Sequence, residues 1–463
     1  SSSRDTATIR KMIALGVDVF RINFSHGNPE EYALTISRIR EAAGDNPVAI
    51  LGDLSGPKIR CGTIAGDPVF LESSRPFILT ARKVPGTSSI VSTNYSRLSR
   101  DVRKGERIFL DDGAIELVVE KIAGDDVHCR VINGGPLSSN KGINFPGTAL
   151  SVSAPTTRDR AMIRFAVEQG LDFLALSFVK APDDVVKAKK AIRRAGGNIP
   201  LISKIEKFEA LDRLEAILDV SDGAMVARGD LGVEIALEEV PLAQKRIITS
   251  CNWRGIPVIT ATQMLQSMIV SPRPTRAEVA DIANAICDGT DAVMLSGETA
   301  SGQYPLEAVR IMNTIAETIE ASGWTDSLGL QGDLVQAGSI PDAISMATTQ
   351  IARALGTAAI LCCSVTGSTA RFVARYRPAC PIIVFSHSPE TLRRVNLCRG
   401  TIPCLMREVR ECADAHGFDA IAKDSVEIAL RKGLIKRGDR VVITAGLPLG
   451  VGGATNMLRV WEV

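Results

Sequence analysis

The sequence predicts an α/β protein: a (β/α)8 TIM barrel, a small inserted β-barrel domain and a C-terminal open α/β domain. Three observations predict it. Short apolar runs alternate with amphipathic helical patterns over most of the 463 residues, one stretch near 59–153 reads only as strands and turns, and a second βα series follows a polar linker. The expected boundaries are 1–58 and 154–325 for the barrel, 59–153 for the insert and 338–463 for the last domain.

In chain order, the barrel strands are expected at 17–24, 48–54, 171–178, 199–205, 222–227, 256–261 and 291–295. Each is a short apolar run of the kind that a doubly covered parallel sheet buries. Helices are expected at 158–169, 183–194, 207–218, 237–252, 275–287 and 310–321. The one at Thr275 opens with Thr-Arg-Ala-Glu, a capping box, behind the rigid Pro272 and Pro274. In the insert, strands are expected at 77–80, 107–110, 115–119 and 126–131, punctuated by Asp-Asp-Gly and Asn-Gly-Gly turns, with Pro57 and Pro155 as hinges. The linker is 322–339. Beyond it, helices at 341–355, 368–376, 388–398 and 418–432 and strands at 358–363, 381–385 and 440–444 complete the chain.

Composition narrows the function classes. Lys plus Arg is 54 and Asp plus Glu is 52, a net charge of +2, which gives no general attraction to nucleic acid or an anionic membrane. No apolar run of membrane-spanning length exists, and the first ten residues are polar, without a signal-peptide core. Aromatic residues are 4%, too few for a base-stacking surface. The ten cysteines show no CxxC pair and the four histidines no zinc spacing, so reduced thiols in a cytoplasmic protein are expected.

Chemistry in such a barrel belongs at the C-terminal strand ends. Six of them carry convergent polar groups: Arg21, Asn23 and Ser25; Asp53; Lys204 and Glu206; Arg228 and Asp230; Thr260 and Thr262; Ser296 and Glu298. Glu206 and Asp230, from different strands, suit one hard cation, with Mg²⁺ favoured and Mn²⁺ accepted. Arg21 and Lys204 could hold a transferring phosphoryl group. Gly229 and Asp230 could present backbone N–H groups to a substrate carboxylate. Thr262 could hydrogen-bond a water or the proton donor to a reacting carbon, though Thr is a poor acid itself. A barrel-lining ion pair is the plainer account of Lys204 and Glu206.

Nine motifs resemble the pyruvate kinase family: FRINFSH at 20–26, DLSGPKIR at 53–60, KGINFP at 141–146, ISKIE at 202–206, VARGDLG at 226–232, ATQML at 261–265, PRPTRAE at 272–278, LSGETA at 295–300 and VARYRP at 373–378. The resemblance implies transfer of the phosphoryl group of phosphoenolpyruvate to ADP, giving pyruvate and ATP. It implies that Lys204 and Arg21 stabilise the phosphoryl group, that Glu206 and Asp230 bind the metal, and that Gly229, Asp230 and Thr262 contact the substrate. Asn23, Ser25, His26, Arg60 and Lys141 fall at nucleotide positions, with Lys141 on a closing lid. Asn23, Ser25, Asp53 and Leu54 fall at a monovalent-cation position. Lys58 stands where potassium-requiring members carry Glu, so K⁺ is expected to be dispensable. Ser364, Thr366, Gly367, Ser368 and Thr369, with Gly450 and Gly452, fall at effector loops, which would take a sugar phosphate or AMP. A homotetramer is implied. The family's first barrel strand is expected to be missing from this sequence. A Mg²⁺-dependent barrel lyase or aldolase and a non-catalytic metabolite sensor are the competing readings.

Overall fold

The computed structural model describes residues 3–324, 338–406, 415–446, 453 and 455–463. The linker expected at 322–339 and the effector glycines Gly450 and Gly452 therefore lie wholly or largely outside the described residues.

Seven parallel strands form the first sheet, in the order Val19–Asn23, Ala49–Leu54, Phe173–Leu176, Leu201–Ile205, Gly223–Ala227, Val258–Ala261 and Ala292–Met294. These are the seven expected strands, shortened at their ends. The register is parallel throughout, with Asn23 beside Asp53, Asp53 beside Ala175 and Ala227 beside Ala261, so the C-terminal ends open on one face. The sheet curls until its two edge strands, Val19–Asn23 and Ala292–Met294, line one cavity of about 740 Å³. Seven of the eight strands of a closed barrel are thus supplied by the described residues. Helices such as Thr157–Glu168, Pro182–Arg194 and Val240–Arg254 follow the strands and pack an apolar shell around them.

Local chemistry sets the helix limits. Thr275 and Glu278 make the expected capping box. The helix expected at 207–218 is instead two, Phe208–Asp212 and Leu214–Asp219, broken where Arg213 leaves helical geometry. That expected at 237–252 starts as one 3-10 turn, and the α-helix runs Val240–Arg254, where Pro241 fits a first turn that needs no N–H.

Between Leu54 and Ala154 the chain forms a six-stranded sheet and a two-stranded ribbon around Phe77, Leu79, Leu117 and Phe145, with one helical turn, Leu98–Asp101. Beyond the linker, a five-stranded sheet has the order Thr401–Leu405, Ile382–Ser386, Ala359–Cys363, Arg440–Gly446, Thr455–Glu462. Its two edge strands were not expected. Pro403 disguises the first, and the second, TNMLRVWE, has neither a continuous apolar run nor a strict period-two pattern to mark it as a strand.

The C-terminal unit seats on the opposite end of the barrel from the strand ends that carry the polar residues. Asp291, just before Ala292–Met294, accepts hydrogen bonds from Arg377 at 2.6 and 3.1 Å and from the Arg399 backbone N–H at 3.1 Å. Asp172, just before Phe173–Leu176, binds Arg393 and Arg40, each at 2.7 Å, and accepts from the Ile50 N–H. Arg377, Asp172 and Asp291 have almost no exposed side chain.

Candidate active site

The strand ends build a buried charge cluster. Lys204 is the fourth residue of Leu201–Ile205, a strand buried along its whole length. Its Nζ donates to Ser177 Oγ at 2.7 Å and lies 3.2 Å from Glu206 Oε2 and 3.6 Å from Asp53 Oδ1. Asp53, 2% exposed, also receives Arg21 Nε at 2.7 Å and the Ser177 hydroxyl at 3.3 Å. Burial would raise the Asp53 carboxyl, but the Lys204 and Arg21 charges overcome it and hold it below its ordinary value. Burial likewise opposes the Lys204 charge, and Asp53 and Glu206 reverse this, raising its pKa so that it stays an ammonium.

Glu206 behaves differently. Its burial, together with the charge of Asp230, outweighs Lys204 and raises its pKa. One carboxylate oxygen accepts the Phe178 N–H at 2.6 Å, which Phe178 aims by taking φ +60°. The other is buried and accepts no hydrogen bond among the described residues. A buried carboxylate oxygen that makes no hydrogen bond and, among the described residues, has only the Lys204 ammonium beside it keeps lone pairs free for a hard cation. Glu206 and Asp230 therefore fit a divalent metal. Among the described residues no group of three or more His, Cys, Asp or Glu side chains could enclose a metal alone.

A second cluster adjoins the first. Gly229 N–H donates to Thr262 Oγ at 2.8 Å, and the Thr262 hydroxyl donates to the Ala261 carbonyl at 2.6 Å. Thr262 and Gln263 hold φ +71° and +54°, a left-handed pair costing about 1–3 kcal/mol each. Arg228 clamps this turn, donating to the Thr262 carbonyl at 2.7 Å and to Asp281 at 2.7 Å. Asp230 lies 3.9 Å from the Lys58 ammonium.

On the first strand, burial alternates as expected: Ile22 and Phe24 are buried, while Arg21, Asn23 and Ser25 are not. Asn23 Oδ1 accepts the Ser25 N–H at 3.0 Å, a turn that ends the strand. His26 is exposed and its carbonyl accepts the Tyr32 hydroxyl. Leu54 closes its strand, fully buried. Arg60 and Lys141 sit together on the insert rather than in the charge cluster: Arg60 donates to the Asn140 carbonyl at 3.0 Å, and Lys141 pairs with Asp111 at 2.9 Å.

Three residues escaped the sequence reading: Ser177, Phe178 and the clamping role of Arg228. Ser177 follows the third strand directly, so the strand-end rule that selected the other six would have found it.

The model of the family described as pyruvate kinase, barrel domain, matches residues 1–309, and that of pyruvate kinase, alpha/beta domain, matches 342–461. The chain belongs to the pyruvate kinase family. It is 46% identical to pyruvate kinase 2 of Synechocystis sp., over 99% of this chain and 77% of the relative. Pyruvate kinases of Staphylococcus aureus and Sporosarcina psychrophila are 43% and 41% identical, over 99% of this chain and 78% of each. As a member of the family the protein is a phosphotransferase, and pyruvate kinases generally need a divalent metal and potassium. Among the described residues no helix is long and apolar enough to cross a membrane.

In the last domain, Gly367 holds φ +78° just before the helix Ser368–Arg375, and the Thr366 hydroxyl donates to Ser368 Oγ at 3.1 Å. Thr369 points inward: its hydroxyl shares a 2.7 Å hydrogen bond with that of Thr455, both buried. Ser364 donates its N–H to the Phe385 carbonyl.

Proposed function

We propose that this pyruvate kinase passes the phosphoryl group of phosphoenolpyruvate to ADP at the Lys204–Glu206–Asp53 cluster, and that enolpyruvate is then protonated beside Thr262. The observation that carries the reading is the Lys204 ammonium, kept charged in a nearly dry site by two carboxylates. A fixed cation in low dielectric stabilises charge that develops on a phosphoryl group without reorganising. Arg21, held by Asp53, supplies a second cation from the neighbouring strand. A divalent ion held by Glu206 and Asp230 would neutralise phosphoryl oxygens. Gly229 and Asp230 receive the substrate carboxylate, the Gly229 N–H exchanging its Thr262 Oγ partner for it, and Thr262 fixes the substrate's reacting end. Lys141 and Arg60 meet the nucleotide from the insert, which excludes water when it closes.

The Lys58 ammonium, already facing Asp230, supplies a charge that makes K⁺ dispensable, although Asn23, Ser25, Asp53 and the Leu54 carbonyl occupy the monovalent position. The loop from Ser364 to Thr369 takes an effector phosphate, from a sugar phosphate or AMP, in a cytoplasmic homotetramer. Pyruvate release from phosphoenolpyruvate, followed with and without ADP, tests the central reading. Release that depends on ADP and matches ATP formed supports it. Release without ADP, matched by inorganic phosphate, means that water takes the phosphoryl group and overturns the kinase reading.

A further inference from the structure

Resting on that reading, we propose that Glu234 is a positioning residue that ties the lid strand to the metal-bearing end of the barrel. Glu234 ends the short helix Arg228–Glu234, whose first turn carries Gly229 and Asp230. Its side chain is fully buried. One oxygen, Oε1, accepts two hydrogen bonds from different parts of the molecule. Lys207 Nζ donates at 2.6 Å, and Lys207 directly follows Glu206. Asn144 Nδ2 donates at 3.2 Å, and Asn144 lies three residues beyond Lys141, on the insert strand Ile143–Asn144. A single carboxylate oxygen thus touches the segment holding Glu206, the helix holding Asp230 and the strand leading from the lid lysine.

The surroundings agree. The Asp111–Gly113 turn, which holds Lys141 through Asp111, approaches Val233, the neighbour of Glu234: a Cβ added at Gly113 would lie 3.9 Å from Val233. On the return side of the insert, Lys180 Nζ donates to the Leu150 carbonyl at 2.7 Å. Meanwhile Glu234 Oε2 is buried without a hydrogen bond among the described residues. A buried carboxylate with half its acceptor capacity idle is a poor device for stability alone. It is a good one for holding a lysine and an amide in fixed relation.

The experiment combines Asn144→Ala and Glu234→Gln with two readouts: KM for ADP, and Mn²⁺ binding to the substrate-free protein by electron paramagnetic resonance. Asn144→Ala is expected to raise KM for ADP about tenfold, the effect of one hydrogen bond to a charged group, with Mn²⁺ affinity unchanged. Glu234→Gln is expected to raise KM for ADP similarly and to weaken Mn²⁺ about tenfold, as loss of a residue behind a metal ligand does. The double variant should show the ADP defect of Glu234→Gln alone. Multiplying ADP defects, or a folded Glu234→Gln with both readouts unchanged, overturns the proposal. Glu234→Asp, which keeps the charge and shortens the arm, replaces the Gln variant if that fails to fold, with the same expectation. A parent enzyme that forms no ATP would overturn the kinase reading instead, while the Mn²⁺ titration still decides the barrel half.

Discussion

Replacing Lys204 with Met removes the buried ammonium and keeps most of the side-chain volume. Its Nζ makes three contacts, at 2.7, 3.2 and 3.6 Å to Ser177, Glu206 and Asp53. If that cation stabilises the transferring phosphoryl group, its loss should resemble loss of an arginine finger, about 10³–10⁵-fold in kcat, or about 4–7 kcal/mol of barrel-borne stabilisation. Folding should suffer less. Breaking a buried ion pair typically costs about 3–5 kcal/mol, but here Asp53 keeps Arg21 at 2.6 Å. Glu206, with its pKa already raised, can take up a proton. We expect a destabilisation near the lower end of that range. Pyruvate formation coupled to NADH oxidation measures kcat, circular dichroism measures unfolding, and Mn²⁺ resonance checks that Glu206 and Asp230 still bind. A folded, metal-binding variant within tenfold of the parent kcat would refute the role given to Lys204.

Five further outcomes are expected. Ser177→Ala leaves the Lys204 charge but removes its nearest acceptor, so kcat should fall about 10–100-fold, from about 1.5–3 kcal/mol for a hydrogen bond to a charged group; unchanged kcat would show that Asp53 and Glu206 suffice to aim it. Because the Glu206 pKa is raised, its proton is retained above the ordinary carboxylate range, so Mn²⁺ affinity should weaken as pH falls toward and below the raised value. By the same sign, the metal-free fold is favoured by Glu206 at low pH and loses that contribution as pH rises through the raised value, so parent and Glu206→Gln melting curves should converge in acid and separate toward alkaline pH. Activity in sodium-only buffer should match that in potassium at equal ionic strength, and Lys58→Glu should create a potassium requirement; a large fall for the parent in sodium disproves the Lys58 reading. Arg377→Ala leaves Asp291 with the backbone N–H groups of Arg399 and Val258 but without its guanidinium partner, and should cost about 3–5 kcal/mol in thermal unfolding; a loss under about 1 kcal/mol would mean that the backbone donors and water replace the guanidinium.

Much of this arrangement was legible from the residues. The barrel strands could be read because each is a short, continuous apolar run with polar residues at one end, and Lys204, Glu206 and Asp53 were identifiable by that position. The contacts among them were not. Whether Lys204 reaches Asp53 from two strands away depends on sheet curl, which one-dimensional spacing does not encode. Ser177 was missed because the expected strand, 171–178, placed it inside the strand, whereas the strand stops at Leu176 and leaves Ser177 at its end. The Arg213 break was hidden because 207–218 keeps a helical pattern across it. The strand Thr401–Leu405 was hidden by Pro403. Glu234, an acidic residue at the end of a short helix, reads as solvated surface until the fold buries it between Lys207 and Asn144.

The aspartates at the barrel floor carry a practical consequence for dissecting the molecule. A fragment cut after the last barrel helix would leave Asp172 and Asp291 facing solvent without the guanidinium groups of Arg393 and Arg377. The excised C-terminal piece would in turn display unneutralised arginines on the surface it once hid. Neither half is a ready-made module, and work on the catalytic half alone would begin by redesigning its underside.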